Sequence, residues 1–198
     1  MKPFPRALLL LALVLAAINL RPGITSLAPL IERIAEELAL SRSLISLTTA
    51  LPVLCMGLLA PFAPRLAVRL GLERTIALCM AVIAVALLLR AVGHASAILI
   101  GSAVLLGAAI AVAGPLLSGF IKRHFAGHMG SVVGWYSLSM AIGGAGGAVL
   151  TIPATQWLGN DWAYGLAIWA LPAVVGLLLW LFLPNRAEAD SEEGGMGL

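Results

Sequence analysis

Residues 16–30 read AAINLRPGITSLAPL. This stretch decides the fold, because it sets Asn19, Arg21, Pro22, Gly23 and Pro29 inside an apolar run long enough to cross a membrane. The rest of the chain has the same oily character. Of its 198 residues 61 % are hydrophobic and 11 % charged, and the mean hydropathy of +1.05 is far above what a water-soluble surface requires. Crossing the roughly 30 Å hydrocarbon core takes about 20 apolar residues. Six such runs cover 7–31, 44–63, 75–92, 97–120, 131–152 and 162–183. The expected fold class is all-α, a polytopic membrane protein of six transmembrane helices forming one domain over 1–184. The first run is too long for a removable signal peptide and lacks a small-residue cleavage site. Residues 185–198, NRAEADSEEGGMGL, are acidic and aperiodic, which reads as a disordered cytoplasmic tail or linker.

Basic residues in short loops are retained on the cytoplasmic side. With the N-terminus inside, Lys2, Arg6, Arg65, Arg69, Arg74, Lys122, Arg123 and Arg186 fall inside, Arg33, Arg42 and Arg90 fall in outer loops, and Arg21 lies within the membrane. Both termini are therefore expected in the cytoplasm, and the positive charge answers to lipid headgroups in the bilayer. A nucleic-acid partner would need a soluble basic surface, which this composition excludes. Cys55 and Cys79 fall inside spans, with neither disulfide nor zinc spacing, and read as packing residues. His94, His124 and His128 fall in loops or at span edges, so no metal site or buried proton relay is expected, and nothing calls for a cofactor. The stretch 32–43, ERIAEELALSRS, suits either a short interfacial helix or a solvated loop. Six helices with both ends inside also invite division into two inverted three-helix repeats, with Pro29 and Pro115 in corresponding helices.

At 1.5 Å per residue, Arg21 lies about 22 Å beyond Arg6, roughly two-thirds of the way across the core. A cation at that depth costs about 3 kcal/mol and normally faces a cavity or a partner. No Asp or Glu lies at comparable depth, so an anionic or strongly dipolar ligand is the natural counterpart. Pro22 removes an N–H, frees the carbonyl of Ile18 and disfavours helical geometry at Arg21, and Gly23 loosens the same turn. Unwound backbone at this depth is typical of transporter binding sites. The bland alternative is a kink with Arg21 bonded to helix-end carbonyls. Depth nominates Thr48, Thr49 and Ser102 as companions, together with Asn19, although Asn19 lies about 200° around the helix from Arg21. Serine and threonine also satisfy themselves on their own helix. Tyr136, Ser137 and Ser139 lie nearer the inner side. The glycine-dense GGAGGAVL at 143–150 lacks a following Lys-Ser/Thr and reads as close helix packing, as do Gly107, Gly114 and Gly119. An intramembrane serine protease needs a base near its serine, and the sixth span carries no histidine, so no catalytic residue is assigned.

The stretches NLRPGITSLAPLIERI (19–34), LTTALPVLCMGLLAPFAPRLAVRLGLERT (47–75) and GPLLSGFIKRHF (114–125) resemble the amino-terminal half of a major facilitator superfamily transporter, in its cyanate permease and 2-nitroimidazole transporter branch. The resemblance implies half of a twelve-helix fold that binds a small anion or polar molecule between two six-helix halves in a bacterial inner membrane. It also implies a second six-helix half as partner, whether on the same chain, on a separate chain or as a second copy. Gly57, Arg69, Gly71 and Arg74 match the family's cytoplasmic loop motif, but Val68 stands where that motif has an aspartate, a role that would pass to Glu73 or to helix ends. The arginine of many proton-coupled members is absent from GAAIAVAGPLL at 107–117. Arg21, Asn19, Thr48, Thr49 and Tyr136 are then the expected substrate-binding set, with the helix break at Pro22 and Gly23. The rival expectation is a non-transporting membrane module that assembles with another membrane protein through its glycine-rich faces.

Overall fold

The computed structural model describes residues 6–92 and 95–183; the acidic tail and His94 lie outside them. The six spans run Arg6–Glu37, Arg42–Leu70, Leu72–Val92, Ser96–His124, Ala126–Trp157 and Trp162–Leu181. Within them lie the helices α1 (Arg6–Asn19), α2 (Pro22–Thr25), α3 (Ile31–Glu37), α4 (Arg42–Leu59), α5 (Ala63–Leu70), α6 (Leu72–Val92), α7 (Ser96–His124), α8 (Met129–Trp157), α9 (Trp162–Ala167) and α10 (Ala170–Leu181).

Local chemistry explains where the spans break. α1 is a leucine- and alanine-rich helix that stops at Asn19, three residues before Pro22. Pro22 then starts α2, where its missing N–H is tolerated. The sixth span breaks between α9 and α10, just before Pro172, whose ring excludes a continuous ladder. Ser41 caps α4 by accepting the Leu44 N–H at 3.3 Å, and Asp161 caps α9 by accepting the Ala163 N–H at 2.8 Å. Pro115 lies inside α7 without breaking it, whereas Pro29 lies in the short 3-10 helix Ala28–Leu30 of the first span, so the two prolines of the suggested repeat shape their spans differently. The 32–43 stretch is no solvated loop at its start: α3 continues the first span, and Ile34 is buried with Leu27, Leu30, Leu99, Trp162 and Leu166. Trp162 donates its indole N–H to Glu37, and Arg33 holds Asn160 through Oδ1 at 3.1 Å and its carbonyl at 2.6 Å.

Packing partners define an arc. α6 lies between α7 and α10, α4 packs on α7, and α1 packs on both α10 and α8. The spans thus follow the order 2-4-3-6-1-5, with the third the most buried and the second the least. Trp180, 1 % exposed, anchors the sixth span through Phe120, at 4.9 Å between ring centroids, and through an N–H donated to the Ala12 carbonyl at 3.0 Å.

Glycine allows the tightest crossings. A Cβ on Gly143 would overlap the carbonyl oxygen of Ile18, one on Gly147 would overlap the Thr25 hydroxyl and lie 2.9 Å from Pro22 Cα, and one on Gly107 would lie 2.6 Å from Pro52 Cα. Gly114 and Gly119 have nothing within 4 Å, which corrects their reading as packing residues. They lie on the open side of α7, where a small side chain gains nothing.

At the basic end, α6 and α7 are joined by His124 and Glu73, with Nε2 and Oε1 3.4 Å apart. Glu73 is 3 % exposed and its second carboxylate oxygen has no hydrogen-bond partner among the described residues. His124 lies at the edge of the fourth span, as its position suggests, and pairs with this buried carboxylate because α7 continues four residues past the apolar run and carries the ring inward beside Phe120. His128 is exposed, as expected for a loop residue.

Two melting experiments check this packing. Gly143→Ala forces a backbone contact apart and is expected to cost about 2 kcal/mol, while Gly114→Ala, in open space, melts at or above the parent because alanine favours helix. His124→Ala leaves a buried carboxylate unpaired and is expected to cost about 3 kcal/mol; Glu73→Gln in the same background recovers part of that loss. Thermal unfolding in detergent, followed by exposure of the buried Cys79 thiol to a reactive dye, reads each effect.

Candidate functional site

The turn between α1 and α2 is where backbone bonding fails and side chains gather. Pro22 has no N–H for the Ile18 carbonyl, and the close approach of Gly143 covers that oxygen. The Ile24 and Thr25 N–H groups both donate to the Arg21 carbonyl at 3.0 Å, and the Thr25 hydroxyl donates to it as well at 3.1 Å. Pro22 and Gly23 are buried while the Arg21 side chain is exposed. The break thus turns the guanidinium out of the bundle wall and leaves its backbone enclosed.

Arg21 opens into a pocket of about 470 Å³ lined also by Thr25, Ser137, Met140, Ala141 and Gly144. The first span supplies the cation and a hydroxyl; the fifth supplies a second hydroxyl and an apolar wall. Gly144 faces Arg21 across the pocket, where a Cβ would lie 3.5 Å from Arg21 Cβ, in ordinary contact. Tyr136, one residue before Ser137 on the fifth span, is half-buried on the core. This geometry offers a small ligand one positive charge, two hydroxyls and an apolar surface, an arrangement suited to holding an anion or a polar heterocycle.

The structure does not bring the whole predicted set together. Asn19 is 2 % exposed, and its amide nitrogen donates to the Leu15 carbonyl at 2.6 Å and the Pro172 carbonyl at 3.0 Å. It ties the first span to the sixth and faces away from Arg21, because the break does not remove the angular separation between them. Thr48 is buried and donates to Leu44 O at 2.8 Å, and Thr49 is exposed and bonds back to Ile45 and Ser46. Neither lines the Arg21 pocket. Depth along a span gave their height but not the direction in which they point.

One cation was misplaced by sequence reading. Arg90, assigned to an outer loop, is 2 % exposed in the last turn of α6. Its Nη1–H donates to the Gly23 carbonyl at 2.9 Å and its Nε–H to the Ser102 hydroxyl at 3.1 Å. The third span reaches Val92, so Arg90 lies two residues inside the helix end. The signal available was that only three residues, 93–95, separate the third span from the fourth.

The loop motif also takes shape. Gly71 ends α5 at φ 89°, a conformation that glycine adopts without strain, and its carbonyl accepts the Thr75 hydroxyl at 2.6 Å. Arg65 lies over the Phe62 ring at 5.7 Å, and both line an exposed groove with Pro64, Leu66, Val68 and Arg69. Gly57 has no close neighbour. Glu73 cannot stand in for the missing aspartate, since it is buried against His124 and does not reach this surface. Among the described residues, no cluster of three or more His, Cys, Asp or Glu side chains could hold a metal.

Residues 8–197 match the Major Facilitator Superfamily. Among curated proteins, the chain is 34 % identical over 190 residues to the uncharacterized transporter YycB of Bacillus subtilis, covering 96 % of this chain and 46 % of that protein. It is 37 % identical over 188 residues to the cyanate transport protein CynX of Escherichia coli, covering 93 % and 48 %. With the 2-nitroimidazole transporter of Escherichia coli it shares 30 % identity over 176 residues, covering 89 % and 44 %. The chain spans about half the length of these curated relatives. Its all-helical six-span bundle fits half of the fold of that family, and the chain belongs to the Major Facilitator Superfamily.

Proposed function

We propose that these six spans are the amino-terminal half of a secondary transporter for a small anion or small polar molecule, such as cyanate or a nitroimidazole, which works by alternating access. The observation that carries this reading is Arg21, a guanidinium turned into a pocket by a helix break, with no carboxylate among the described residues lining that pocket. The names of the two Escherichia coli relatives support the substrate class. Thr25 and Ser137 line the same pocket and Tyr136 lies beside it, so these three would assist Arg21; Asn19 and Thr48 would act through the fold.

Alternating access needs two bodies rocking about a fixed site, so the partner is a second six-helix half. The open ends of the arc, the second and fifth spans, carry the exposed apolar side chains Val53, Leu54 and Leu58 and Val149, Leu150 and Ile152, which lipid or that half would cover. We place the protein in a bacterial inner membrane with both termini in the cytoplasm. Moving Arg90 from an outer loop into the bundle sharpens the charge asymmetry behind this orientation, because only Arg33 and Arg42 remain outside.

Two assays test the reading. Uptake of labelled cyanate and of labelled nitroimidazole into proteoliposomes is measured with and without a co-expressed second half. Flux of either substrate with the second half supports transport, and flux of neither in both arms favours the non-transporting module. In binding measurements, Arg21→Ala is expected to weaken cyanate about tenfold or more, in line with about 1.5–3 kcal/mol for a charge-assisted hydrogen bond. Arg21→Lys falls between, having lost the forked donor geometry, and Thr49→Ala leaves affinity unchanged. Unchanged affinity in Arg21→Ala removes the ligand role.

A further inference from the structure

We propose that Arg90 is the positioning residue of the Arg21 pocket: from the third span it holds the unwound turn of the first in the shape that presents Arg21. The inference rests on the reading of Arg21 as the substrate-binding group. In a regular helix the Leu27 N–H would serve the Gly23 carbonyl; here it turns to Ile24 O at 3.4 Å. The Gly23 carbonyl is therefore left out of the ladder, and Arg90 Nη1–H takes that oxygen at 2.9 Å. Nε–H of the same guanidinium is fixed to Ser102 Oγ at 3.1 Å, and Ser102 in turn donates to Leu99 O at 2.8 Å. Two attachments on one planar group fix its orientation and join the first, third and fourth spans.

Both partners are neutral oxygens. Burying a guanidinium against neutral groups is costly, and an apolar side chain would pack α6 against α7 without that cost. Arginine alone combines the reach and the forked donors needed to serve Gly23 and Ser102 together. The turn is also clamped sterically, because a Cβ on Gly23 would meet Leu106 at 2.8 Å and one on Gly147 would meet Pro22 Cα at 2.9 Å. These contacts hold the turn against α7 and α8; the Arg90 bond sets its rotation, and Arg21 is two residues away.

The test uses the full chain in liposomes with Cys55 and Cys79 replaced by alanine. The pair Arg21→Cys and Gly144→Cys is then introduced, since the two Cβ positions lie 3.5 Å apart, within disulfide range. Mild oxidation should link the pair rapidly when Arg90 is present. We expect the rate to fall about tenfold or more in Arg90→Met and about threefold in Arg90→Lys, which keeps one donor and the charge, while the melting temperature stays near that of the parent. A parental rate in a folded Arg90→Met overturns the proposal. If Arg90→Met does not fold, Arg90→Lys decides: slowed linking supports the proposal and the parental rate overturns it. With Arg21 intact, binding of labelled cyanate should weaken in Arg90→Met in parallel with the loss of cross-linking. Slowed cross-linking together with unchanged cyanate affinity in Arg21→Ala leaves Arg90 as the holder of the turn and removes the substrate reading of Arg21.

Discussion

Pro22 withholds one N–H from a helix buried in a low-dielectric bundle, and in the turn that follows the Leu27 N–H leaves the Gly23 carbonyl for that of Ile24, so two carbonyls fall outside the ladder. In water the freed carbonyls would be hydrated at little cost; inside a bilayer each unsatisfied group costs several kcal/mol. Two helices answer at the Gly23 carbonyl: α6 sends Arg90 to it and α7 contributes Ser102 to hold Arg90, while α8 packs Gly143 closely onto the Ile18 carbonyl. The packing of the first span against its neighbours and the local chemistry of its break are therefore one problem with one solution. A bulkier residue at Gly143 would disturb both at once.

The arc order of the spans follows from the same demands. The third span, apolar on all sides and flanked by α7 and α10, can be central because few of its side chains need water. The first span, with its break, needs neighbours on both flanks and lies between α10 and α8. The second and fifth spans remain at the ends with apolar faces outward. Because lipid tails are as apolar as leucine, such exposure costs nothing in a membrane. What sets the pocket apart is its polarity, concentrated where Arg21, Thr25 and Ser137 meet.

The sequence made the spans legible because membrane thickness fixes their length, and it made the break legible because Pro22 and Gly23 act on their own backbone. Azimuth was not legible. Asn19, Thr48 and Thr49 share a depth with Arg21, yet Asn19 turns to Pro172 and the threonines to their own helix. Gly107, Gly114 and Gly119 lie on one helix in like contexts, and only Gly107 meets a neighbouring backbone. Which small residue is in a crossing depends on where the partner helix passes, and no local pattern encodes that. Arg90 was hidden for a different reason: a cation near the end of an apolar run is ordinarily a loop residue, and the oxygen that draws it inward lies 67 residues earlier in the chain.

The two arginines at this break show how environment divides a role between like residues. Arg90 places two hydrogen bonds on neutral protein oxygens and has almost no exposure, so it is spent on structure. Arg21 has its carbonyl engaged by Thr25 and its side chain turned outward, so its charge stays available. With Glu73 withdrawn to the basic end against His124, no carboxylate among the described residues lines the pocket to quench it. Under the proposed reading, an anion there would meet the field of Arg21 directly and that of Arg90 through the backbone of a single turn. The second cation would thus strengthen the pull on the ligand without touching it, and a neutral substrate would gain from the hydroxyls alone.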